Sequence, residues 1–208
     1  NRPEPNPRKH PQLWQSYLLW DELMKMRQRH ILRISASERG KSQMDSELER
    51  SFLEQLDIDA NLALARKTMI NFGRTVGPIW EWLTSIKGLG AGGDAAKLLA
   101  QIDDIGRFDT IAKLWRFAGY AVIDGTAEKN KAGEKSHYNR KLKSICYMIA
   151  EQFIRQQTPH YVDIYYAEKE RQRRLHPEPI QKEGSKTKLY TDAHIHNRAW
   201  RKMIKELL

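Results

Sequence analysis

Residues 83 to 99 read Leu-Thr-Ser-Ile-Lys-Gly-Leu-Gly-Ala-Gly-Gly-Asp-Ala-Ala-Lys-Leu-Leu. Apolar Leu83, Ile86 and Leu89, with small Ala95 beyond the glycines, predict a helix, a tight Gly-Leu-Gly turn and a second helix. A chain punctuated this way is committed to short helices meeting at a close backbone approach. The glycines at 88 and 90 are expected to supply positive φ, which costs glycine nothing. The second helix would begin with unsatisfied N–H donors and a partial positive charge. Together the turn and that helix start form a cradle for a phosphate, which reads a nucleic-acid backbone and not its bases. The plain alternative is an ordinary helix–helix turn closed by a glycine C-cap.

The 208 residues suffice for one large or two small domains. Lys and Arg number 36 against 26 Asp and Glu, a formal charge of +10, which favours a polyanionic partner. A membrane surface is the competing polyanion, but no apolar run is long enough to span a bilayer and no signal peptide is evident. The single cysteine, Cys146, sits in an apolar stretch and reads as a core residue in a reducing compartment. The expected location is cytoplasmic and nucleoid-associated. A first residue that is Asn1 and not Met is expected of a chain trimmed from something longer.

Residues 1–11 form a basic, proline-rich arm with no means of burying a core (Arg2, Arg8, Lys9; Pro3, Pro5, Pro7, Pro11). Residues 12–75 carry two long helical patterns, Gln12 to about Ser35 and about Met44 to Phe72, expected to pair as a helical hairpin or a dimerising coiled coil. Leu48, Phe52 and Leu56 mark its exposed apolar stripe. Residues 76–208 hold the hairpin motif, a helix over Thr110–Ala118, a turn-rich basic stretch over 124–141, an apolar helix over Leu142–Gln157, another over Tyr161–Arg174, a loop, and a last helix from about Thr191. No strand pattern or internal repeat stands out, so the expected class is all-α.

Four groups of basic residues are visible: the arm, the 129-to-143 loop, Lys169 to Arg174 and the Arg198-to-Lys205 helix. A charge run is usually a solvated helix face, and Glu168 and Glu170 partly neutralise the third group. The loop differs, because its charge sits in a glycine-containing segment that can track a phosphate backbone. Six tryptophans are many for so short a chain; Trp14, Trp20, Trp115 and Trp200 read as core, whereas Trp80 and Trp82 cannot share one helix face. His194 and His196, with His176 and Glu178 nearby, have a spacing better suited to a strand than to a metal-binding helix. Asp103, Asp104, Asp109 and Asp124 show no spacing that would make a two-metal site.

The order of elements carries a resemblance. Ile86-Lys87-Gly88-Leu89-Gly90 is followed by Leu98-Leu99-Ala100-Gln101-Ile102, Ile105-Gly106-Arg107-Phe108-Asp109, Leu114, Phe117-Ala118-Gly119-Tyr120, a basic loop and a long apolar helix. This resembles the C-terminal domain of the insertion-sequence 110/116/902 transposases, which show an Ile-Pro-Gly-Ile-Gly hairpin, a leucine-rich helix, an Ile-Gly-x-Phe turn and a Tyr-Ala-Gly-Leu segment. Asn197-Arg198-Ala199-x-Arg201-Lys202 is similar to that family's final helix, and the helices before Gly73 to its coiled-coil linker. The likeness spans roughly residues 20 to 208, most tightly 83 to 120. It implies DNA handling, and in complete members an N-terminal RuvC-like domain whose four acidic residues bind metal; no such set is visible here. The family's nucleophilic serine would follow the Tyr-Ala-Gly-Leu segment, where this chain has Val122-Ile123-Asp124-Gly125-Thr126. Ser136 aligns with a second, non-nucleophilic family serine.

The reading is an all-α, sequence-tolerant DNA-binding protein derived from or part of a transposase. Lys87, Gly88, Leu89, Gly90, Ala91, Gly92, Gly93 and Lys97 would hold a phosphate, and Lys129, Lys131, Lys135, Arg140 and Lys141 would extend the track. No cofactor is expected, Mg²⁺ entering only with a separate acidic domain. Expected partners are DNA and a second copy of the chain or a larger nucleoprotein assembly. One alternative is an active serine recombinase subunit, acting with a separate acidic RuvC-like domain, with Ser136 or Thr126 as the hydroxyl; another is a module for structured RNA, since guide RNA serves related systems.

Overall fold

The computed structural model describes residues 8–123, 126–127, 133, 136–181 and 188–208. They divide into two compact units, one of residues 8–84 and 92–104, the other of 85–91 and 105–208.

The first unit begins with α1 (Pro11–Glu38), a helix longer at both ends than its apolar periodicity indicates. Proline at the first helical position needs no N–H partner. The two preceding amides, of Lys9 and His10, are taken by the carboxylate of Asp103 at 3.2 and 3.0 Å, a cap supplied from ninety residues away in sequence. The second helical pattern is not one helix but two, α2 (Ser46–Gln55) and α3 (Ile58–Arg74). Asp57 between them stands at φ 44°, a left-handed conformation that aspartate tolerates better than most residues. The break lets α2 turn back on α1, where the buried Glu49 meets His30 and Arg33. Apolar spacing runs through residue 56 without interruption, so nothing in the periodicity marked this bend.

After α4 (Pro78–Ser85), α5 (Gly93–Ile102) packs on α3 and α1 with most of its face buried. Trp80 forms the floor here. A Cβ on Gly73 would overlap its ring, and one on Gly92 would stand 3.0 Å from it, so both glycines are required by the indole above them.

In the second unit a 3₁₀ turn (Ile105–Arg107) leads to α6 (Ile111–Phe117), capped by Thr110. Then come α7 (Arg140–Arg155), capped by Asn139, α8 (Tyr161–Leu175) and α9 (Asp192–Leu207), capped by Thr191. α8 and α9 run antiparallel: His160 meets Glu206, Glu168 meets Lys202, and Gln172 meets Arg198. Leu142, Cys146, Ile149, Phe153, Met203 and Ile204 are fully buried between the helices. Two ladders depart from the strand-free expectation, β1 (Val122–Ile123) with β2 (Thr126–Ala127) and β3 (Ile180–Gln181) with β4 (Lys188–Leu189). Each has two residues per strand, too short for alternation to show in sequence. The class is all-α.

Candidate nucleic-acid interface

Residues 85–91 of the hairpin turn belong to the second unit and are seated by two anchors. Leu89 is buried in the core, and its amide closes the turn on the Ile86 carbonyl at 2.9 Å. Thr158, fully buried at the corner between α7 and α8, donates its hydroxyl to the Lys87 carbonyl at 2.9 Å. Gly88 takes φ +97°, and a Cβ there would reach van der Waals contact with Phe153 and Thr158. With the turn held from beneath, Lys87, Gly90 and Ala91 face solvent. The positive φ expected at Gly90 is not found; Gly92 takes it, at +74°. A Cβ at 92 would stand 3.0 Å from the Trp80 ring, so this position favours glycine on space as well as on φ.

Gly92, Gly93 and Lys97 lie in the first unit. Gly92 is the N-cap of α5 and carries no side chain to satisfy the first amides of the helix. Gly93 is buried with the Arg66 guanidinium against it. Lys97 is half-buried, bonded to Asp94 at 2.9 Å and lying over the Trp20 ring at 4.1 Å. Of the eight hairpin positions, Leu89 anchors, Gly88 and Gly92 bend the chain, Gly93 and Lys97 are packed beside Arg66 and Trp20, and Lys87, Gly90 and Ala91 present exposed surface.

Of the basic loop, Lys129, Lys131 and Lys135 lie outside the described residues, as do Asp124 and Gly125. Thr126 is described through its backbone pairing with Ile123. Arg140 and Lys141 are exposed in the first turn of α7, a turn whose own sequence contains no acidic residue. Cations at a helix N-terminus oppose the helix dipole, so these residues raise the positive potential of that end instead of neutralising it. Ser136 is half-buried and donates its hydroxyl to the Tyr138 carbonyl at 3.1 Å.

The remaining sequence candidates have structural employment. His194 bonds Thr191 in the α9 cap, His196 bonds the Tyr165 hydroxyl at 2.7 Å, and His176 stacks on Tyr190. Asp104 pairs with Lys9 and Asp109 with Lys113. Among the described residues no group of three or more His, Cys, Asp and Glu is placed to hold a metal ion. Cys146 is buried, and desolvation pushes its thiol well above the ordinary range, as expected of packing and not of a nucleophile. Trp80 is buried and Trp82 exposed, which resolves the pair as their spacing required. No helix among the described residues is long and apolar enough to cross a membrane.

Residues 81–166 match the model of the transposase IS116/IS110/IS902 family. That segment runs from α4 through the hairpin, the basic loop and α7 into α8, and over it the family resemblance read from the sequence holds. No curated protein matches the chain, and no solved structure does.

Proposed function

We propose that this chain is a transposase-derived DNA-binding protein that grips the phosphodiester backbone through the exposed part of its hairpin turn and the basic start of α7. The observation that carries the reading is the position of the transposase-family segment: it contains both the turn and the α7 start. The chemistry of these residues supports it. Lys87, Gly90 and Ala91 offer an exposed cation and exposed chain on a turn seated by Leu89 and Thr158. Arg140 and Lys141 add two exposed charges at a positive helix end. Contacts of this type fix register on a duplex without reading its sequence. A second copy of the chain, or a larger nucleoprotein assembly, would dock on the apolar stripe of α2, and Mg²⁺ would enter only with a separate acidic domain.

The test is Gly90→Val. Because Gly90 is exposed and does not adopt positive φ, valine there crowds a bound phosphate without left-handed strain. In fluorescence anisotropy with a labelled duplex, binding should weaken at least tenfold, about 1.4 kcal/mol, while the thermal midpoint stays near that of the parent. Unchanged affinity in the folded variant would remove the hairpin from the interface.

The family match also favours a second reading, a serine recombinase subunit acting with a separate acidic domain. Ser136 is the described hydroxyl in question, and its bond to Tyr138 would have to break before it could attack a phosphorus.

A further inference from the structure

The C-terminal helix treats its cations unequally. Lys202 reaches the buried carboxylate of Glu168 at 3.0 Å, where Arg171 and Gln172 also donate, and those bonds hold the Glu168 carboxyl down at about 2. Arg198, Arg201 and Lys205 occupy one side of the same helix, spaced three and four residues apart. Among the described residues none of the three pairs with a carboxylate. Arg198 donates to the Gln172 amide oxygen at 3.2 Å and lies over Tyr190 at 4.9 Å. Lys205 lies over the Trp115 ring at 4.4 Å. Arg201, half-buried between them, has the neutral Tyr120 hydroxyl and the Arg198 guanidinium within electrostatic reach.

The arrangement is unfavourable as it stands. Burial and the charge of Arg198 hold Arg201 below the usual arginine range; burial and the charge of Arg201 do the same to Lys205. The chain has acidic residues on the neighbouring surfaces and uses them elsewhere, for Lys202, for His160 with Glu206 and for Arg173 with Asp192. A row of like charges without a counter-ion is stabilised by an anion that spans it. Guanidinium groups fit phosphate oxygens with two parallel hydrogen bonds. The aromatic supports hold the side chains in place before the anion arrives, which lowers the ordering cost of binding.

We infer that Arg198, Arg201 and Lys205 form a phosphodiester-binding row on α9, a backbone contact of duplex DNA additional to the hairpin turn and the basic loop. This rests on the DNA-binding reading given above. The row extends the interface from the family-matched segment to the last helix, which lies outside residues 81–166.

The test compares Arg201→Gln with Lys202→Gln in the full chain. Each removes one charge from adjacent positions of one helix, so any difference between them is positional and not one of net charge. Affinity for a labelled DNA duplex is measured by anisotropy over a series of salt concentrations. Arg201→Gln should lower the slope of log affinity against log salt by about one and weaken binding about eightfold near 0.1 M salt. Lys202→Gln should leave the slope unchanged. Should Arg201→Gln melt below the assay temperature, Lys205→Gln should show the same loss and Arg201→Lys should retain the parental slope. A folded Arg201→Gln that keeps the parental slope, or a Lys202→Gln that loses as much, overturns the inference while the DNA-binding reading stands. A parent without affinity for the duplex overturns that reading and the inference with it. Loss of slope on duplex RNA alone would contradict the assignment to DNA.

Discussion

A single hydroxyl shows how closely the turn is tied to the core. Thr158 bonds the turn carbonyl of Lys87, and it does so from a fully buried position. Thr158→Val keeps the volume and removes the donor, leaving a carbonyl without that partner. The expected cost is about 1 kcal/mol of stability, measured by urea denaturation. Duplex affinity should fall as well, because the exposed backbone of residues 87 to 91 would no longer be fixed. A loss of stability with unchanged affinity would show that the seating of the turn does not matter for binding. Residues 87 to 90 could be picked out from sequence because glycines punctuate it. Thr158 could not be, since a threonine seventy-one positions away carries no local sign of its partner. Asp103 is the same kind of case: it reads as the start of a turn, yet its carboxylate caps α1.

Among the helices, α2 invites a test of assembly. Leu48, Phe52 and Leu56 recur every four residues, are exposed by 69%, 44% and 37%, and form a stripe on one face. Beside it Glu49 meets His30 and Arg33 of α1, and the Phe52 ring lies 5.0 Å from the His30 ring. Leu48 is the most exposed of the three, so Leu48→Asp changes the stripe without entering the core. In sedimentation analysis the parent is expected to self-associate, and the variant to shift toward monomer with its helical content intact. A parent that is monomeric at every concentration would contradict dimerisation through α2. The helix itself was visible in the periodicity. Its separation from α3 was not, because the break depends on one residue's left-handed backbone at Asp57 and leaves the apolar spacing intact.

Over the whole chain, the parts legible in sequence are those written in local pattern: helical periodicity, the glycine turn, and the order of motifs that resembles the transposase family. The family match over residues 81–166 agrees with that order. What could not be read depends on packing between distant segments. The positive φ falls at Gly92, against Trp80, and not at Gly90, and of the α9 cations it is Lys202 that meets Glu168 of α8. The candidate interface was legible as a set of basic residues, while which of them are packed against neighbours and which are exposed required the tertiary structure. Lys97, named from sequence as a phosphate ligand, is bonded to Asp94 and covered by Trp20.

An excess of ten positive charges and the exposed cations proposed to contact a phosphate backbone lead to one direct measurement, the salt dependence of duplex binding by the unmodified chain. Anisotropy with a labelled duplex of mixed sequence should show log affinity falling linearly with log salt. For six to ten phosphate contacts the loss between about 50 and 200 mM is roughly a thousandfold or more. Duplexes of unrelated sequence should behave alike, since backbone contacts carry no base information. No binding at the lowest salt, or binding that is flat across this range, would contradict a protein that holds DNA by its phosphates.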